Sequence, residues 1–209
     1  MIGAVRRFAS RVRWNVVWDT FDVFVREVRE EDREFVAPAG YEFAFAAPDE
    51  VAAMTEHHTE LGAADREHGR RRLELGHRLV VGRHDGVAVF TMWINPRNLN
   101  VPGFVKRALA EDEVFIYKAY TSPDHRGKKL YQAGMRFVLA DLAARGMRRL
   151  VGYAHVTKDV SRAGLARLDF HAVGTFRGRG YRRPFHVSIS KELAAAFPRA
   201  VPRSGLDLT

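Results

Sequence analysis

The chain has no cysteine among its 209 residues. That excludes disulfide scaffolds, thiolate zinc sites and thiol nucleophiles, and it suits a reducing compartment. No apolar run approaches the roughly 20 residues that span a bilayer. The opening "MIGAVRRFASRVRW" also lacks the apolar core of a signal peptide, so the expected location is the cytoplasm. Carboxylates are in deficit: 34 Lys and Arg against 25 Asp and Glu leave a formal charge of +9. Such a balance favours anionic partners, whether nucleic acid, phosphorylated cofactors, acidic carrier proteins or anionic membrane surfaces. Neither His-Glu-x-x-His nor a facial-triad spacing occurs, so His57, His58, His68, His77 and His84 read as scattered surface histidines, and no metal is expected.

What is present is a series of α/β elements. Residues 1–39 begin basic and end charged, and are set apart as an N-terminal extension. Within them, Val5, Phe8 and Val12 among arginines suggest a short basic amphipathic helix, while Phe21, Val23 and Val25 alternate as in a strand. From Tyr41, "YEFAFAAP" reads as a strand, and Pro48 and Asp49 open a helix in the way first turns favour. A second helix follows over "AADREHGRRRLELG". Two β-rich runs then flank Asp85-Gly86, a hairpin signal. The strand "EVFIYKAYTSP" leads to the helix "KLYQAGMRFVLADLAARG", which Gly146 should cap. "RRLVGYAHV" is a further strand, "KDVSRAGLARLDF" a short helix, and "HAVGTFRGRGYRRPFHVSIS" two strands turning around residues 176–183. The order is β-α-α-β-β-β-α-β-α-β-β, and the link over 95–112 is long enough to suggest function or motion. Trp14, Trp18 and Trp93 read as packing residues.

The turn between Thr121 and Leu130 is the most informative stretch. A strand ending there and a helix beginning there aim unpaired N–H groups and the positive helix end at one point, and Arg126, Lys128 and Lys129 add cationic side chains. This is an anion site, with a solvated basic turn as the plainer alternative.

With this element order, "SPDHRGKKLYQAG" resembles the GNAT superfamily of acyl-CoA-dependent N-acyltransferases. That family's pyrophosphate loop follows Arg/Gln-x-x-Gly-x-Gly/Ala. The pattern falls on Arg126, with Lys129 and Tyr131 where the family has small residues. The likeness spans Tyr41 to Leu193, which implies a GNAT acyltransferase domain at 40–195 and a C-terminal tail at 196–209. "KDVSRAGLARLDF" resembles the family's later helix at Ser161, Leu168 and Phe170; Lys158 replaces its asparagine, and Leu165 stands where many members carry an acidic tyrosine.

The resemblance implies a GNAT-type mixed central sheet with flanking helices, and transfer of an acetyl or other acyl group from acyl-CoA to a small-molecule or peptide amine. Arg126, Gly127, Lys128, Lys129, Leu130 and Tyr131 would meet the donor phosphates, and Ala119, Tyr120 and Thr121 would pair with pantetheine through main-chain groups. An amine near pKa 10.4 is mostly protonated at pH 7, so a base matters more than an acid. Glu113, at the head of the strand and at the offset from Arg126 where some members of the family place a glutamate that draws the amine proton, is the leading candidate, with Tyr153 and His155 as rivals on alternate positions of the next strand and Ser161 as a further hydroxyl or a helix N-cap. Acceptor contacts are expected from 48–78, 95–112 and 176–183. Two other readings stay open: an acyl carrier protein as donor, suggested by the glycine-poor loop, and a non-catalytic module binding nucleic acid or an acidic protein.

Overall fold

The computed structural model describes residues 16–57, 63–101, 103–181 and 183–199. The basic stretch around Val5, Phe8 and Val12, together with Trp14 and His58, lies outside these, as do the side chains of Trp18, His57 and His68. The strands are β1 (Val16–Glu27), β2 (Glu42–Phe45), β3 (Arg78–His84), β4 (Val87–Asn95), β5 (Asn98–Val101), β6 (Val105–Ala108), β7 (Glu113–Thr121), β8 (Arg149–His155), β9 (His171–Tyr181) and β10 (Arg183–Ile189). The α-helices are α1 (Pro48–His57), α2 (Ala63–Glu74), α3 (Leu130–Ala144), α4 (Asp159–Ala166) and α5 (Lys191–Ala196). Eight strands form one sheet in the order β10-β9-β1-β8-β7-β4-β3-β2, while β5 and β6 form a separate hairpin. All neighbours are antiparallel except β7 and β8.

Helices cover both faces, so the central strands are apolar on both sides. On one face, Leu130, Met135, Val138 and Leu142 of α3 and Leu165 of α4 pack on Phe24, Phe90, Met92, Ile116 and Leu150. On the other, the β5–β6 hairpin and α5 cover Val23, Val25, Phe115, Val151 and Phe176. Val51 of α1 meets Leu79, Val81 and Trp93 on that same side. The expected turn signals hold: Asp85 and Gly86 both have positive φ, and Gly146 closes α3 at φ 67 with its N–H on Ala143 O.

Two expectations change. Residues 16–27 are no appendage, because β1 lies inside the sheet, paired with β8 from Phe21↔His155 to Glu27↔Arg149 and with β9 along its other edge. Phe24 faces the α3 side while Val23 and Val25 face the hairpin, and the polar ends are tied down. Asp22 is ion-paired to Arg162, and Arg26 reaches Asp32 at 2.8 Å and Leu168 O at 3.2 Å. Nor is Phe176–Gly180 a turn: Phe176, Gly178 and Gly180 are buried and Arg177 and Arg179 exposed, the period of two of a strand. The long 95–112 link carries the β5–β6 hairpin, whose Phe104 packs edge-on against Phe21 at 5.3 Å between centroids.

Because β1 is central, Phe24→Ala should lower unfolding stability by about 3–5 kcal/mol, as large-to-small core changes do. Urea midpoints with unchanged slope would record it. A loss within about 0.5 kcal/mol would return the segment to the status of a surface arm.

Candidate active site

Parallel β7 and β8 pair at only three positions, Glu113↔Arg149, Val114↔Leu150 and Phe115↔Val151, although both strands run on to Thr121 and His155. The cause is visible on the other side of β7. Its register with β4 slips between Thr91↔Tyr120 and Trp93↔Tyr117, and Lys118 sits at φ 48. An extra residue bends the strand that carries it and raises its local twist. The sheet therefore opens, and a cavity of about 400 Å³ passes between the strands, walled by Met92, Ile116 and Leu165 toward α3 and α4 and by Tyr117, Tyr153 and His155 toward the hairpin face. From Ile116 onward the β7 edge facing β8 has no strand beside it, so an extended ligand can pair there.

This opening joins a groove of about 750 Å³ that runs along the start of α3. Ala119, Tyr131, Lys158 and Ser161 line both, and form the neck between them. The groove's walls carry Arg126, Lys129, Lys158 and Arg167, and among the described residues no carboxylate lines it. The helix end that faces it has no side-chain cap and no acidic residue in its first turn, which leaves its N–H groups and dipole for an anion. Gly127 turns at φ 78, with nothing within 4 Å of where a Cβ would stand. Lys129 adopts φ 59, the left-handed conformation that glycine would take freely and that costs another residue roughly 1–2 kcal/mol. The turn thus holds a lysine in a conformation that glycine takes freely, which adds a cation beside the backbone N–H groups. Arg126 is fastened by its Nε to Thr121 O at 3.2 Å.

Most of the sequence candidates converge here. Ala119, Tyr120, Thr121, Arg126, Gly127, Lys129, Leu130 and Tyr131 line the groove, and Tyr153, His155 and Ser161 the opening or its neck. Lys128 is exposed and stands outside both linings. Ser161 lies within the first turn of α4, whose N-cap is Lys158.

Glu113 is the clear correction. It occupies the closed end of β7, 3% exposed, ion-paired to Arg148 at 2.9 Å and to Arg149, with Ala110 N–H donating to its Oε2 at 3.1 Å. It lines neither cavity. The run "AEDE" looks like solvated loop charge, yet Glu113 is where two parallel strands start side by side, and its carboxylate neutralises the arginines that begin β8. Its contacts join the first residues of the two strands, away from both cavities.

His155 is present but engaged at both nitrogens. Thr157 N–H donates to its Nδ1 at 3.2 Å, with Thr157 Oγ1 at 2.7 Å, and its Nε2 lies 3.3 Å from Asp19 Oδ1. The imidazole ties the end of β8 to β1. Burial raises the Tyr153 phenol pKa and pushes that of Tyr131 up to about 12, so both are neutral at pH 7. Gly164 makes room for Tyr131, since a Cβ there would stand 3.4 Å from its ring.

Sequence reasoning passed over four features. Lys158 was seen only as a departure from asparagine, and Arg167 was not considered. Tyr117 was counted as part of a strand. His77, taken for a surface histidine, is 4% exposed, with Nδ1 2.6 Å from Tyr117 Oη. Burial and the charges of Arg72, Arg97 and Lys106 lower its pKa to about 4. The guanidinium of Arg72 packs over the rings of Trp93 and Tyr117, at 5.2 and 5.8 Å from their centroids. Alternation along β7 places Tyr117 on the face of Phe115, which was readable; the approach of His77 from the α2–β3 junction was not.

The sequence model of the acetyltransferase (GNAT) family matches residues 47–170. No curated protein matches the chain. Among solved structures, a Drosophila protein superposes with a TM-score of 0.54 at 12% identity, over 83% of this chain and 55% of its own. A GNAT-family protein from Novosphingobium aromaticivorans does so at 0.54 and 15% identity, over 77% of this chain and 63% of its own. A GCN5-related N-acetyltransferase from Sphaerobacter thermophilus gives 0.54 and 14% identity, over 88% of this chain and 57% of its own. The chain spans less than two thirds of the length of each, and at these identities the likeness is one of fold.

Glu113→Gln should lower the thermal midpoint while leaving affinity for a CoA thioester within about twofold, since the carboxylate is remote from both cavities. Scanning calorimetry beside a binding titration checks both halves. His77 makes stability depend on acid: with a folded pKa near 4 against about 6.5 unfolded, the unfolded chain binds the extra proton between these values. Stability should therefore fall as pH drops from 6.5 toward 4, by up to about 3 kcal/mol. Urea unfolding across that window should show the slope, and His77→Asn should flatten it.

Proposed function

The chain belongs to the acetyltransferase (GNAT) family, and from that premise we propose that it transfers an acyl group from acyl-CoA to an amine by direct attack. The observation that carries the reading is the junction of a cationic groove at a helix N-terminus with a through-sheet opening of strand-like edge. Few ligands need both. A CoA thioester does: its phosphates call for N–H groups and fixed cations, and its pantetheine arm is an extended chain of amides that can lie along an open strand.

Each part has a task. The α3 N-terminus, Arg126, Lys129, Lys158 and Arg167 hold the phosphates, and the β7 edge at Ala119–Thr121 pairs with the pantetheine amides. The acyl carbonyl then lies in the opening between β7 and β8, and the amine approaches from the hairpin face between Tyr117 and Tyr153. Holding both reactants in one cavity removes much of the entropic barrier of a bimolecular step. The amine nitrogen attacks the carbonyl carbon, the tetrahedral intermediate collapses with cleavage of the C–S bond, CoA leaves as a thiolate, and the proton that the nitrogen sheds passes to that sulfur directly or through water in the opening. A thiol of ordinary pKa near 8.5 leaves well without a strong acid, which fits an apolar Leu165 beside the opening. With no cysteine in the chain, a thioester acyl-enzyme is excluded.

Calorimetric titration with acetyl-CoA should give binding that weakens about 10- to 100-fold in Arg126→Ala, the effect of removing a charge-assisted hydrogen bond. Absence of binding to the unaltered protein would overturn the donor assignment and leave a fold used for another purpose.

A further inference from the structure

The through-sheet opening has several hydroxyls and one imidazole on its walls but, among the described residues, no carboxylate. Which of these groups can meet the N–H of an attacking amine depends on what each is already bonded to. His155 is occupied at both nitrogens by Thr157 and Asp19. Tyr117 stands at the first outward-facing position past Phe115, where β7 and β8 part, and its ring is wedged between Phe115 and Trp93 at 5.7 and 6.4 Å. Its oxygen is 2.6 Å from His77 Nδ1. Either group can donate across that distance, and the tautomer of His77 decides which does. With the imidazole proton on Nε2, Nδ1 accepts the hydroxyl hydrogen of Tyr117.

The consequence is a phenol of fixed polarity. Its single hydrogen is directed away from the opening, into a buried imidazole, so what remains for a ligand is lone pair. We infer that Tyr117 Oη is the hydrogen-bond acceptor that orients the attacking amine's N–H, and that His77 is the positioning residue that holds Tyr117 in that role. The inference rests on the acyltransferase reading and deepens it. A neutral amine has both an N–H to give to Tyr117 and a lone pair to aim at the carbonyl; an ammonium ion has no lone pair to aim. The site would thus select the reactive form by geometry, with no negative charge to hold the protonated one. The cation of Arg72 beside the same ring works in the same direction, since it disfavours a second positive charge nearby.

The test uses the full chain, acetyl-CoA, and four amines of different class: spermidine, lysine, phenethylamine and an alanyl tetrapeptide. Release of CoA is followed with a thiol reagent, which meets no protein thiol. With the amine that is acetylated fastest, Tyr117→Phe should lower kcat/KM for the amine about 10- to 100-fold while the Kd for acetyl-CoA stays within twofold. His77→Leu should do the same although His77 does not line the opening. His77→Asn, whose amide oxygen can take the hydroxyl hydrogen, should recover most of the loss. In the Tyr117→Phe background, His77→Leu should add no further loss, because the two act as one unit. Folded His77→Leu protein with unchanged kcat/KM, or losses that multiply in the double variant, would overturn the assignment. Wild-type protein that neither binds acetyl-CoA nor releases CoA would overturn the acyltransferase reading itself.

Discussion

Everything proposed for this protein depends on two parallel strands being joined at one end and held apart at the other. At the joined end, three ladder pairs and the Glu113 carboxylate between Arg148 and Arg149 fix β7 beside β8. At the open end, β7 carries an extra residue opposite β4, Lys118 takes a left-handed conformation, and the pairing with β8 has ended. Neither device alone makes a site: a sheet pinned throughout has no opening, and two strands pinned nowhere would not hold one open. Glu113 thus fixes the joined end of the two strands, away from both cavities.

The N-terminal strand supports the site from outside the family-matched region. It lies between β8 and β9, so the wall of the opening formed by Tyr153 and His155 is backed by residues more than a hundred positions earlier. Phe21 stacks on Phe176 at 5.0 Å and meets His155 edge-on at 5.0 Å, and Asp19 pairs with the same imidazole. The matched family segment begins at residue 47, yet the β8 side of the site is completed by residues before it.

How much of this was legible beforehand follows from which interactions are local. The basic turn was readable because helix ends, lysines and a glycine act within a few residues of one another, and most of the side chains named there line one groove. That Lys129 could replace a glycine by adopting its φ was not readable, because composition does not reveal backbone strain. The place of β1 had a signal that went unused: Phe24 is apolar on what should have been the polar face of an exposed strand, which marks burial on both sides. Glu113 was misassigned because sequence offset does not tell the closed end of a splayed pair from its open end. The His77–Tyr117 contact joins residues 40 apart through the sheet's curvature, and no pattern along the chain encodes it.

The most direct measurement of the central claim is amide hydrogen exchange with and without acetyl-CoA. The account predicts slowed exchange at Gly127–Gln132, the N–H groups aimed at the donor phosphates, and at Ala119–Thr121 on the open β7 edge, with little change in β2 or β10. Binding that leaves those two segments unchanged and protects another part of the molecule would contradict it.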